Sequence, residues 1–76
     1  MRNIPTIDYA NSLAKEAVDI LFSESDPFNG KVDKNLLDSA IAEYLLINLV
    51  LNNSDELTEI QFMDCIARAT IPEKLN

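Results

Sequence analysis

Histidine is absent from this 76-residue sequence, and there is only one cysteine. Without histidine, the commonest general base and the commonest metal ligand are missing. One cysteine cannot complete a zinc site of nitrogen and sulfur ligands, nor form a disulfide within the chain. We therefore predict a protein that is not an enzyme, that holds no metal or cofactor, and that resides in a reducing compartment, the cytoplasm.

Glycine is nearly absent as well, since the chain has one. A sheet protein of this size needs several tight turns, and the glycines for them are missing. The hydrophobic fraction of 47% is normal for a globular chain. We predict one all-α domain over residues 1–76, a small bundle of three main helices. We place the helices at about 7–22, 34–51 and 58–69, with a long loop at 23–33.

Positive charge is the third shortage, with six basic residues against thirteen acidic ones and a net charge of −7. Direct nucleic acid binding needs clustered lysines and arginines, and here they are scattered, so we expect none. An acidic domain can instead bind a basic protein surface, including a nucleic-acid-binding site that it blocks by mimicry. The charge can equally serve solubility alone, and both interpretations stay open.

Long apolar runs are missing too. As a helix, the most apolar segment, residues 44–51, would span about 12 Å, against roughly 30 Å for a bilayer core. Residues 1–9 contain no apolar run of the kind found in signal peptides. We therefore expect neither a membrane span nor a signal peptide.

Capping residues and apolar spacing define the predicted helices. Asp33 is a natural N-cap for the second helix, and Thr58 with Gln61 has the form of a capping box for the third. The first helix is amphipathic, and small residues near the centre of its apolar face would allow close approach of another helix. These small residues are Ala10, Ala14 and Ala17.

The second helix begins with one apolar face and ends apolar nearly all round. Its main face carries Leu36, Leu37, Ala40, Ile41, Tyr44, Ile47 and Leu51. On the opposite side, polar residues give way to Leu46, Leu49 and Val50 in the second half. Such a helix end lies at the centre of a core or under another chain. Asn48 interrupts this end, and we expect it to hydrogen-bond across an interface or to reach solvent.

The third helix is also broadly apolar, with only a narrow polar strip in which Asp64 and Arg68 can pair. Two of three helices thus carry more apolar surface than a three-helix monomer can bury. We predict a homodimer or a tight protein partner on this surface, centred on Leu46, Leu49, Val50, Phe62 and Ile66. The alternative is a compact monomer in which an irregular segment covers the surplus.

Other reactive residue types have simpler explanations. We expect Cys65 to be a small buried apolar residue, since no cation adjoins it in sequence. The segment 25–37 resembles in part a calcium-binding helix-loop-helix loop, with Gly30 at the turn position. Pro27 and Leu36 stand where two ligand oxygens belong, so the segment predicts a loop that binds no calcium.

The segment "LLDSAIAEYLL", residues 36–46, resembles the attachment site of acyl and peptidyl carrier proteins. In that family, a serine after an aspartate opens the second helix of a small acidic bundle and carries a phosphopantetheine arm. The resemblance implies phosphopantetheine on Ser39. The family's upstream glycine is missing here, Ala40 stands where a larger apolar residue is usual, and a helix start at Asp33 puts Ser39 inside the helix.

Two functional hypotheses follow from these patterns. The first is a non-catalytic protein that acts by protein–protein interaction, as a small regulator, inhibitor, chaperone or immunity-type factor. Its basis is the surplus apolar surface, the negative charge and the shortage of catalytic groups. The second is a carrier-like domain that depends on Ser39.

Overall fold

Three helices form the protein in the computed structural model, which describes residues 6–72. They are α1 (Thr6–Leu21), α2 (Lys34–Leu51) and α3 (Glu59–Ala69). Over the described range there is no strand, and the only β-type pairing is an isolated bridge between Val32 and Thr70. The predicted all-α class is confirmed, and each predicted helix boundary lies within one residue of the observed one.

Both predicted caps are present. The Asp33 carboxylate accepts hydrogen bonds from the backbone N–H groups of Asn35, at 2.9 Å, and Leu36, at 3.1 Å. Thr58 Oγ1 accepts from the Gln61 N–H at 3.1 Å, and Gln61 Oε1 accepts in return from the Thr58 N–H at 3.0 Å. Each cap satisfies backbone donors that the first helical turn leaves without partners, which is why the helices begin where they do.

α2 is the central helix and packs against both other helices. Lys34 at its start lies 3.9 Å from Asp19 near the end of α1, and Asn48 near its end contacts Gln61 near the start of α3. Both outer helices therefore run antiparallel to α2. In the described part of the chain, α1 and α3 do not pack against each other. The fold is thus an open arrangement around α2.

The core lies along one arc of α2. Leu37, Ile41 and Leu45 are buried there, and α3 adds Cys65 and Ala69. The prediction of a buried Cys65 is confirmed. The predicted main face of α2 is partly wrong, because three of its members are exposed while Leu45 is buried instead; the exposed members are Leu36, Ile47 and Leu51. The physical reason is that α1 and α3 flank α2 on two sides and shift the buried arc around the helix.

Small residues bring α1 close to α2, as predicted. Ala10 and Ala14 are fully buried together with Val18. Ala17, which we also placed near the centre of this face, is exposed instead. The buried arc of α1 therefore follows the four-residue spacing of positions 10, 14 and 18, and Ala17 lies to one side of it.

Irregular segments cover part of the core beside the start of α2. Phe28 packs against Phe22 with ring centroids 5.8 Å apart, and Val32 is buried. The carboxylate of Asp26 accepts hydrogen bonds from the backbone N–H groups of Phe28 (2.8 Å) and Gly30 (2.7 Å). In the segment that partly resembles a calcium-binding loop, the Asp26 carboxylate thus accepts hydrogen bonds from backbone amides of the same loop. Across residues 6–72 no group of three or more acidic or cysteine side chains is placed to hold a metal ion.

Asn48 is the one polar residue among the buried positions of the described chain, with 3% exposure. Its Nδ2 donates to the Glu56 carbonyl and to Gln61 Oε1, both at 2.8 Å. Its Oδ1 accepts from Gln61 Nε2 at 3.1 Å. The prediction that Asn48 bonds across an interface or reaches solvent is wrong, because its partners belong to the same chain. They tie the end of α2 to the following connection and to the cap of α3.

A second polar contact joins the outer edges of α2 and α3. The Tyr44 hydroxyl donates to Asp64 Oδ2 at 2.6 Å, and Arg68 Nη2 lies 3.2 Å from Glu43 Oε2. The predicted Asp64–Arg68 pair is therefore wrong, since each of these residues bonds to α2 instead. Bonds between helices are available to both side chains because α3 lies alongside α2 at this level.

Alkaline pH is expected to destabilise the fold. The hydrogen bond to Asp64 raises the pKa of Tyr44 above its ordinary 10.0, and burial raises the pKa of Cys65 above its ordinary 9.0. Both groups hold their protons more firmly when folded than when unfolded. Their contribution is complete below the unfolded pKa values and is lost as pH rises through the folded ones. We expect the melting temperature to fall above about pH 9, and to fall less in the Tyr44→Phe variant.

The titration of Tyr44 can be followed directly. The sequence contains two tyrosines, so a Tyr9→Phe variant leaves the absorbance of the phenolate to report on Tyr44 alone. A midpoint above pH 10 is expected in the folded protein, and Asp64→Asn should lower it. A midpoint at or below 10 would show that the hydrogen bond to Asp64 does not hold the proton.

Candidate binding surfaces

An open groove of about 570 Å³ lies between α1 and the start of α3. Ile41 and Leu45 of α2 form its floor. Apolar side chains also line its two walls; these are Leu13, Ala17 and Ile20 on α1, and Leu57 and Phe62 on the other side. We refer to this feature as the α1–α3 groove. Its existence follows from the fold, because the two outer helices each contact α2 but not each other.

Four carboxylates line the same groove, namely Glu16, Asp55, Glu56 and Glu59, and no basic residue does. Within residues 6–72 there are two ion pairs, Lys34 with Asp19 and Arg68 with Glu43, and neither involves a groove carboxylate. The groove therefore combines an apolar floor with an acidic margin. That combination suits an apolar ligand that carries positive charge at its edges.

The buried Asn48 helps to build the groove wall. Its bond to the Glu56 carbonyl holds the connection between α2 and α3 against the end of α2. Leu57 packs against the core beside it, and the capping box then starts α3. Three of the four groove carboxylates belong to this segment, 55–59, so the hydrogen bonds of Asn48 position the acidic margin.

A second apolar surface lies at one end of the molecule. Ile47, Val50 and Leu51 are exposed near the end of α2, and Ile60 and Met63 are exposed near the start of α3. Because α2 and α3 are antiparallel, these five residues share one end of the protein. Val50 is 65% and Ile60 is 80% exposed. We refer to these five residues as the end patch.

The five residues predicted for the interaction surface have different environments. Val50 belongs to the end patch, and Phe62 lines the groove. Leu46, Leu49 and Ile66 are half-buried and pack against the core. The sequence pattern did not single out Ile41, Leu45 or Leu57 as binding residues. Leu57 carried one usable signal, as an isolated leucine between a turn and a capping box.

Ser39 is exposed and is the sixth residue of α2. It therefore does not open the helix, whereas the serine of the carrier family does. Phosphopantetheine attachment stays a prediction of the sequence resemblance. Cys65 offers no accessible nucleophile, since it is fully buried and burial raises the pKa of its thiol.

The predicted homodimer stays a prediction, and the end patch is the surface through which we expect two copies to associate. The five defining residues are uncharged and apolar, which suits packing against the same patch of a second copy. We expect sedimentation equilibrium to show a dimer at high protein concentration, and Val50→Asp to shift it to monomer. Ser39→Asp, an exposed change elsewhere on α2, is the control and should leave the dimer intact. A monomer at all concentrations would exclude this interface.

Comparison with known proteins identifies no relative. No model of a protein family, no curated protein and no solved structure matches the chain. No helix within residues 6–72 has both the length and the apolar character that crossing a membrane requires.

Proposed function

We propose that this chain is a non-catalytic interaction protein that receives a helix of another protein in the α1–α3 groove. The observation that carries the proposal is that α1 and α3 both pack on α2 but not on each other, which leaves a groove lined by apolar side chains between them. A fourth helix lying over Ile41 and Leu45 would complete a four-helix arrangement. Proteins commonly bind partner helices in such apolar grooves.

The groove geometry fits a helix better than a small enclosed ligand. It is open to solvent, and its walls are an α-helix and an irregular connection that leads into a second α-helix. Apolar side chains spaced three and four residues apart on a partner would meet the floor in sequence. Burial of such side chains contributes about 25 cal/mol per Å² of apolar surface removed from water.

The biological role that fits this binding mode is that of a regulator, inhibitor, chaperone or immunity-type factor. Each of these roles requires a binding surface and no catalytic group. We assign the protein to the cytoplasm, because a lone buried thiol and the lack of a possible internal disulfide suit a reducing compartment.

Two variants, each with one exposed alanine replaced by glutamine, test the proposal. Ala17 lines the groove and is exposed, so Ala17→Gln obstructs the groove without entering the core. Ala67 is also exposed and helical but lies outside the groove, so Ala67→Gln is the control. A partner would be captured from the native cell, identified by mass spectrometry, purified and titrated calorimetrically. We expect Ala17→Gln to weaken binding at least tenfold and Ala67→Gln to leave it unchanged.

The opposite pattern would rule out the groove as the binding site. Equal binding by both variants, or loss of binding only in Ala67→Gln, would place the partner on another surface. Circular dichroism and thermal melts of both variants would check that each folds like the wild type. Exposed substitutions by good helix formers are expected to change stability by less than about 0.5 kcal/mol.

A further inference from the structure

We propose that the helix bound in the α1–α3 groove is amphipathic and basic, with lysines or arginines flanking an apolar stripe. This inference rests on the proposed function and names the chemistry of the partner. It follows from the distribution of charge around the groove rather than from its apolar floor alone.

The acidic residues occupy both sides of the groove. Glu16 stands on the α1 side, while Asp55, Glu56 and Glu59 stand on the opposite side. The apolar floor of Ile41 and Leu45 lies between them. A helix that lies on this floor presents its flanking positions to both margins at once. Basic residues at those positions would meet carboxylates on each side, as in helices that carry charged residues beside an apolar seam.

Basic residues of the described chain lie elsewhere. Lys34 pairs with Asp19 and lies 5.6 Å from the centre of the Phe22 ring, and Arg68 pairs with Glu43. No lysine or arginine lines the groove. An anionic or neutral occupant would leave the four groove carboxylates without an opposite charge, whereas a cationic helix supplies one.

A second copy of this chain fits the groove poorly. Each copy carries a net charge of −7. The exposed side of α1, an amphipathic helix that such a copy would offer, carries Asp8, Glu16 and Asp19 against a single Lys15. Docking it would add acidic residues to an acidic margin, which costs affinity. The same repulsion disfavours nucleic acid and anionic membranes. The occupant is therefore a different, basic protein segment.

Three synthetic helical peptides of equal length probe this assignment by calorimetry. The first has leucines at helical spacing flanked by lysines, the second has glutamates in place of the lysines, and the third is a scrambled form of the first. We expect saturable one-to-one binding of the first peptide only. Raising the salt concentration from 50 to 500 mM should weaken it several-fold, because screening reduces the attraction between exposed charges.

Charge removal from the protein locates the site. The triple variant Glu16→Gln, Glu56→Gln, Glu59→Gln removes three groove charges. It should lower the affinity for the basic peptide about tenfold, because each exposed ion pair contributes only a modest free energy. A matched triple, Asp8→Asn, Glu24→Gln, Asp38→Asn, removes the same charge outside the groove. It should change the affinity less than twofold.

Each other outcome overturns the assignment. Equal binding of the lysine and glutamate peptides would remove the charge argument. Equal binding of the scrambled peptide, or equal losses in the two triple variants, would show unspecific attraction to a negative protein. Self-association that Ala17→Gln abolishes would place a second copy in the groove. If no peptide binds while a native partner is still lost in Ala17→Gln, the proposed function stands and the basic partner is rejected.

Discussion

Asn48→Leu is expected to lower the free energy of unfolding by about 3 kcal/mol, because it leaves the Glu56 carbonyl and the Gln61 side chain without their buried partner. Leucine is close to asparagine in size, so the loss reflects hydrogen bonding rather than a cavity. A domain of this size has only about 5–10 kcal/mol to lose. Urea denaturation followed by circular dichroism would measure the change.

The matched control for this variant is Asn11→Leu, the same exchange at an exposed position of α1. It should change stability by less than about 0.5 kcal/mol. The double variant Asn48→Leu, Gln61→Leu should cost less than the sum of the single changes, because the two side chains share two hydrogen bonds that either single change removes. Additive losses would show that the Asn48–Gln61 bonds contribute little.

Leu37→Ala is expected to cost about 2–5 kcal/mol, the usual range when a fully buried leucine leaves a cavity. Leu37 has 0% exposure and is among the largest fully buried side chains of the described chain. Its neighbour Leu36 is 52% exposed, so Leu36→Ala is a control that differs only by one step around α2. Thermal melts should show a drop of roughly 15 °C for Leu37→Ala and of a few degrees at most for Leu36→Ala.

Similar losses of stability in the two leucine variants would contradict the observed orientation of α2, in which Leu37 faces the core and Leu36 faces solvent. They would mean that Leu36 is covered as well, either by a second copy or by a partner. Repeating the melts at tenfold lower protein concentration separates these cases. An intramolecular core gives a melting temperature that does not depend on protein concentration, whereas the melting temperature of an assembly falls on dilution.

Helix positions were predictable from the sequence because local chemistry determines them. The Asp33 cap and the Thr58–Gln61 capping box act over three residues, and the observed helices begin at these caps. The small residues Ala10 and Ala14 likewise predicted that another helix could approach α1 closely, and both are buried. Each of these inferences needed no knowledge of how the helices are arranged in space.

The rotation of α2 was not predictable in the same way. Leu36, Leu37, Ile47 and Leu51 are equally apolar, and periodicity alone groups them on one face. Which of them is buried depends on where α1 and α3 lie around the helix. α2 has apolar residues nearly all round in its second half, so the pattern carries little directional information there.

The role of Asn48 was missed for a related reason. Its partners are a backbone carbonyl eight residues away and a side chain thirteen residues away. A sequence shows the polar residue in an apolar helix but not the connection that folds back onto it. The groove depends on the same connection, so its acidic margin could not be located before the chain between α2 and α3 was placed.

Under the proposed function, we expect stability and partner binding to be coupled through Asn48. The hydrogen bond to the Glu56 carbonyl holds the segment that carries three of the four groove carboxylates. Replacing Asn48 should therefore lower the affinity for the partner helix as well as the stability of the fold. Leu37, in contrast, does not line the groove, so its removal should act on stability with a smaller effect on affinity at temperatures where the variant is folded.

The most direct test of a groove that receives a helix is a heteronuclear NMR titration of the uniformly ¹⁵N-labelled protein with the basic amphipathic peptide. We predict saturable shifts at Ala17, Leu45 and Leu57, which line the groove, with little change at Val50 and Ile60 of the end patch. Shifts confined to Val50 and Ile60, or no saturable shifts at all, would contradict the account.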